Sequence, residues 1–119
     1  MELGPIQKQW IRNLREHPER QASAFLGYVK GNDIKMCCLG QLLYCVKGDS
    51  CLNEEGRIKD GPVHKASLVS SYEELGLRDG LGSSVVGRNL SELNDFYKTW
   101  PEIADIVEKD PSNYFTKSY

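Results

Sequence analysis

The segment Ile34–Cys45, IKMCCLGQLLYC, changes its hydrophobic period midway, and few backbones accommodate that change. Ile34, Met36 and Cys38 alternate with Lys35 and Cys37, the period of a strand. Leu39, Leu42, Leu43 and Val46 then follow at i, i+3, i+4 and i+7, the period of a helix. A strand must therefore turn into a helix with almost no linker, and three of the four cysteines sit at or just past that corner. Such a cluster is a metal site, a reactive site or core.

Spacing separates these readings. Cys37, Cys38, Cys45 and Cys51 lack the pair of ligands two to four residues apart with which structural zinc sites usually begin. Adjacent Cys37 and Cys38 point to opposite faces of a strand and do not readily chelate one ion. His17 and His64 lie at no ligand spacing; His17 reads as a solvated residue flanking the first helix. Cys38 and Cys45 fall on one helix face, where a thiol packs as a small hydrophobe. Cys51, in a polar segment, is the thiol expected at the surface. A cysteine nucleophile needs a basic partner, and His64 is the candidate to pair with Cys51 or Cys38.

The flanking elements define the fold class. Pro5 suits a first helical turn, and Ile6, Trp10 and Leu14, widened by Ile11, predict a helix over 5–16 ended by His17-Pro18. Residues 22–29 and 34–38, around Gly31-Asn32-Asp33, read as a β-hairpin. The helix from Leu39 stops at Gly48, after Lys47. Residues 48–67 form a long polar loop with a short strand at most, and 71–76 a short helix with a Ser71/Glu74 capping box. Asp79–Ser84 is a turn-rich connector, and Val85-Val86-Gly87-Arg88 reads as a short strand. Leu90–Asp95 reads as one helical turn. Its Asn94-Asp95 is explained by turn and cap chemistry, and Thr99-x-x-Glu102 opens a second capped helix that Asp110-Pro111 ends. The aromatic tail 112–119 is expected to dock onto the body or onto a second chain. The expected fold is α+β: one domain over 1–119, a β-hairpin or small antiparallel sheet packed with three to four helices.

Charge excludes some functions. The net charge is −2, without the basic excess that bulk nucleic-acid binding usually needs. Residues 1–30 carry five positive and three negative side chains, and residues 89–110 carry two positive and six negative. That asymmetry fits solvated helix faces, a bipolar surface or head-to-tail association. Glu92, Asp95, Glu102 and Asp105 lack the ligand at every second position of a calcium loop and read as solvated surface. The glycines match no phosphate-binding loop. No basic-then-apolar leader and no span of about 18 apolar residues is present, so the expected location is cytoplasmic, with reduced thiols and no cofactor.

Four segments, in order, carry a resemblance: Trp10-Ile11-Arg12-Asn13-Leu14-Arg15; Met36-Cys37-Cys38-Leu39-Gly40-Gln41-Leu42; Leu90-Ser91-Glu92-Leu93-Asn94-Asp95; and Trp100-Pro101-Glu102-Ile103-Ala104-Asp105-Ile106-Val107. Over most of its length the chain resembles a family of small bacteriophage- and prophage-encoded proteins. Met36 stands where the family usually has an aromatic, and Trp100-Pro101 where it more often has Ser/Thr-Phe. The resemblance implies a viral protein acting in the host bacterial cytoplasm, and it brings no catalytic residue with it.

By analogy with small phage proteins generally, the expected function is non-enzymatic binding. The chain would be a homo-oligomeric anti-defence factor that sequesters a host immune signalling nucleotide or blocks a host defence protein. A small Cys-dependent enzyme, a zinc-stabilised interaction module and a minor virion or assembly component are the alternatives. A nucleotide would be held by cations on phosphate and an aromatic on the base. Loop placement nominates Arg57, Lys59, His64, Lys65, Arg88, Tyr97 and Tyr114.

Overall fold

The computed structural model describes residues 1–23, 26–58, 76–78 and 88–119. They form a small α+β domain. Helix α1 (Pro5–Glu16) buries Gln7, Trp10, Ile11 and Leu14. The stripe that the sequence predicts is present, with the polar Gln7 added to it. Gln7 is fully buried because the C-terminal tail lies across it. Its Oε1 accepts from the Gly4 and Tyr119 amides at 2.8 and 3.1 Å, and its Nε2 donates to Lys117 O at 2.9 Å. The Gln7 amide donates to Tyr119 O at 3.0 Å. Gly4 has no side chain to cap α1, and the tail supplies the acceptor. A Cβ on Gly4 would lie 2.5 Å from Tyr119 backbone atoms.

Strands β1 (Gly27–Lys30) and β2 (Asp33–Met36) pair antiparallel around Gly31-Asn32, with Gly27 opposite Met36. The hairpin is narrower than the alternation suggests; Cys37 has already left the strand. Helix α2 (Cys38–Lys47) begins at once, ends at Gly48 (φ +55°), and buries Cys38 through Leu43 without interruption. The first six residues of α2 are thus enclosed on every side, the polar Gln41 included, and the last turn reaches the surface at Lys47. Helix α1 packs on it, and the start of the hairpin passes so close that a Cβ on Gly40 would sit 2.0 Å from Leu26 O.

The first part of the polar loop is built onto this body. Gly48–Cys51 makes a 3-10 turn, and Leu52 bridges Ile58. Val29 N–H donates to Gly56 O at 2.8 Å, and Ile58 N–H to Gly27 O at 3.0 Å, so the segment runs beside β1. This turns Cys51 inward. It is 2% exposed, which corrects the expectation of a surface thiol. Residues 59–67, the Ser71/Glu74 capping box, the Asp79–Ser84 connector and the Val85-Val86-Gly87 segment lie outside the described residues.

Helix α3 (Leu90–Glu92) carries an Asn89/Glu92 capping box and runs directly into a π-helical turn, Leu93–Tyr97. Helix α4 (Trp100–Lys109) opens with the expected Thr99/Glu102 box. The hydrogen bonds from Thr99, its amide first, hold the Glu102 carboxyl below the usual carboxylate range. The tail docks on the chain's own body. Phe115 bridges Leu77 and is fully buried with its ring edge-on to Trp10 at 5.8 Å, and Tyr114 is buried beside it. The charge asymmetry is partly closed within the chain, because Arg15 reaches Asp105 at 2.8 Å and Glu108 at 3.0 Å. These exposed pairs contribute little to stability. Among the described residues no helix is long and apolar enough to cross a membrane.

The close approach at Gly40 gives a first prediction. Gly40→Ala raises helix propensity yet forces α2 away from Leu26. The expected result in denaturant unfolding is a net loss of about 1–3 kcal/mol, the range of an overpacked core. A variant as stable as wild type contradicts the packing described.

Candidate functional site

The buried amide of Asn94 positions everything around the only large aromatic side chains exposed among the described residues. Asn94 is 3% exposed. Its Oδ1 accepts from the Cys38 backbone N–H at 3.0 Å and from the Trp100 indole N–H at 2.9 Å. Its Nδ2 donates to Ala22 O at 2.7 Å and to Asp95 Oδ1 at 2.9 Å. Two acceptor and two donor positions are all that an amide side chain offers, so Asn94 is saturated. The turn-and-cap explanation of Asn94 from sequence is therefore corrected: its side chain is a cross-link between the α2 N-terminus, the segment before the hairpin, and α4.

Neighbouring polar groups extend the cross-link. The Trp10 indole N–H donates to Cys38 O at 2.8 Å, so both ends of residue 38 are held by other elements. Gln21 Oε1 accepts from the Trp100 amide at 3.0 Å, while its Nε2 donates to Asn94 O at 3.0 Å and Lys98 O at 2.8 Å. Trp10, Cys38, Asn94 and Trp100 come from four separate stretches of the chain, and they meet here.

The π turn follows from this. The Lys98 amide bonds to Leu93 O at 2.8 Å, five residues back, so the turn holds one residue more than an α-turn. Leu93 and Asn94 face inward, while Phe96 and Tyr97 are 76% and 53% exposed. The rings meet edge-on at 6.3 Å, and the Arg88 guanidinium stacks 3.7 Å from the Tyr97 ring centroid. π turns occur often at functional sites, and this one carries the exposed aromatic pair.

Of the residues nominated from sequence, Arg88 and Tyr97 are in contact. Arg57 is exposed but belongs to the segment beside β1, bridged to Tyr28. Tyr114 is 5% exposed, which removes the exposure on which its selection rested; its ring fills core next to Phe115. Lys59, His64 and Lys65 lie outside the described residues. Sequence reading missed Phe96. An unbroken Phe-Tyr pair following buried Leu93-Asn94 was the available signal, hidden because α-helical spacing does not allow for a π turn.

The thiols are structural where described. Cys37 caps α2, its Sγ accepting from the Gly40 amide at 3.3 Å, and burial raises its pKa from 9.0 to about 11. Burial also pushes Cys38 well above the ordinary range. Cys45, half-buried, accepts from Asn13 Nδ2 at 3.0 Å and is raised for the same first reason. A protonated, enclosed thiol is a poor nucleophile. Among the described residues no group of three or more His, Cys, Asp or Glu side chains is placed to hold a metal ion.

No protein-family model, curated protein or solved structure matches this chain.

Two predictions follow from this geometry. Asn94→Ala strands the Cys38 amide and the Trp100 indole N–H in the core, and at about 1–3 kcal/mol per unpaired group should cost at least about 2 kcal/mol in equilibrium unfolding. A loss below about 1 kcal/mol would show that the amide is not a cross-link. The second concerns pH. A raised thiol pKa means the folded state keeps its proton to higher pH than the unfolded chain, so the stability contributed is complete below pH 9.0 and is lost as pH rises toward about 11. Cys37→Ser keeps an acceptor for the Gly40 amide and removes this thiol's share of the titration, so the fall in melting temperature across that interval should become less steep, Cys38 and Cys45 keeping their shares. An unchanged slope contradicts the assignment.

Proposed function

We propose that the chain is a non-enzymatic, phage-type binding protein, an anti-defence factor that sequesters a small signalling nucleotide in the bacterial cytoplasm. The observation that carries this reading is the Arg88–Tyr97 stack beside exposed Phe96. A guanidinium over a ring retains N–H donors for contact with phosphate. An exposed aromatic face beside it is sequence-tolerant footing for a base, worth about 1–3 kcal/mol per stacked base. The enclosed thiols weigh against a cysteine-dependent enzyme, and the saturated Asn94 amide is bound up in structure.

The alternative within the same class, blockade of a host defence protein, is favoured by Phe96. At 76% exposure it offers the apolar anchor that protein interfaces bury.

Thermal melts with a panel of cyclic mono-, di- and oligonucleotides test the proposal. The expected result is a rise in melting temperature with at least one nucleotide, absent in Arg88→Ala and Tyr97→Ala variants whose ligand-free melts match wild type. No rise with any nucleotide removes the nucleotide reading. Capture of a host protein that depends on Phe96 would then stand in its place.

A further inference from the structure

We propose that Cys45 is a modification site, a thiol that a hydroperoxide converts to a sulfenic acid held by the buried Gln41 amide. None of its residues belongs to the Phe96–Tyr97 turn.

The site begins with an unmet acceptor. Gln41 is 1% exposed, and its Oε1 is the only buried side-chain nitrogen or oxygen among the described residues without a hydrogen-bond partner. A buried acceptor left without a donor is costly and calls for an occupant. The other end of the same amide faces Cys45: Nε2 donates to its Sγ at 3.5 Å, one helical turn further along α2. Oε1 and Nε2 share a carbon, so the orphan acceptor lies beside the sulfur, yet the S–H makes no bond to it. A hydroxyl carried on the sulfur reaches one bond further. The amide then offers both of its ends, Oε1 accepting from S–O–H and Nε2 donating to the added oxygen. From α1, Asn13 Nδ2 donates to the same sulfur at 3.0 Å, and Asn13 Oδ1 is held by Gln9 Nε2 at 3.0 Å. The sulfur is thus fixed between two carboxamides from two helices.

Access singles out this thiol. Cys37, Cys38 and Cys51 are buried, whereas Cys45 is partly open to solvent. In the reaction the sulfur attacks one oxygen of the peroxide. The S–O bond forms as the O–O bond breaks, and the thiol proton passes to the departing hydroxide to give water. Sulfur is oxidised by two electrons and the peroxide is reduced by the same two. Burial raises the thiol's pKa, so the attack is slow. Cys45 is a site of modification, not a catalyst, and the Gln41 amide acts on the product by holding it.

Oxidation of the purified, folded full chain tests this. Hydrogen peroxide is added and then removed by catalase, and after timed intervals the chain is unfolded in excess dimedone, which captures sulfenic acid wherever it sits. Peptide mass spectrometry places the adduct. The adduct should fall on Cys45, with Cys37, Cys38 and Cys51 remaining thiols. Gln41→Leu should still oxidise at Cys45 but shorten the lifetime of the sulfenic acid about fivefold, the factor that one hydrogen bond supplies. Gln41→Met, an unbranched apolar replacement, should do the same. Each removes an acceptor that is unpaired in the thiol form, so both variants should fold. No adduct on Cys45, an adduct spread evenly over the four thiols, or an unchanged lifetime in the Gln41 variants overturns the proposal. None of these results touches the nucleotide-dependent melts.

Discussion

The structure depends on one side-chain amide. Asn94 spends its two acceptor positions on the Cys38 amide and the Trp100 indole, and its two donors on Ala22 O and Asp95 Oδ1. A buried polar group with every bond made is rigidifying, whereas a partly satisfied one is destabilising. Four chain segments therefore have to arrive together. If any one is displaced, a donor or acceptor is stranded where water does not compensate it.

This constraint explains the abrupt junction at Cys37-Cys38. A helix leaves its first amides unpaired, and α2 starts inside the protein, where solvent does not serve. Cys37 Sγ takes the Gly40 amide and Asn94 Oδ1 takes that of Cys38. The Trp10 indole holds the carbonyl on the other side of residue 38. The corner is capped both by Cys37 directly before it and by Asn94 and Trp10 from far along the chain. Gly40 then lets the hairpin approach within a distance that any side chain would forbid.

How much of this could be read from the sequence depended on range. The helices at 5–16 and after Thr99, the hairpin turn and the Gly48 stop come from local rules of period, proline and capping, and the structure shows each of them. Cys51 was misplaced because the loop's polar composition hides a 3-10 turn that rolls it onto the core. Asn94 was misjudged because Asn in a Leu-Asn-Asp segment is locally indistinguishable from a turn residue. Only its contacts 56 and 72 residues away reveal its role. Gln7 was hidden likewise, its partners lying 110 and 112 residues away. For the candidate site, Arg88 and Tyr97 were visible by residue type and Phe96 was not, since the extra residue of a π turn moves every following side chain out of helical phase.

The exposure of the aromatic pair is a consequence of the cross-link. Burying Asn94 on a π turn turns Phe96 outward, and the bonds that hold Asn94 also hold the aromatic pair and the Arg88 stack in place. The most direct test of the central claim is native-state hydrogen exchange at the Cys38 amide and the Trp100 indole N–H. Both should exchange only through global unfolding, with equal free energies matching that of the slowest α2 amides. Fast exchange at either group while the α2 core stays protected would contradict the claim that Asn94 ties these elements together.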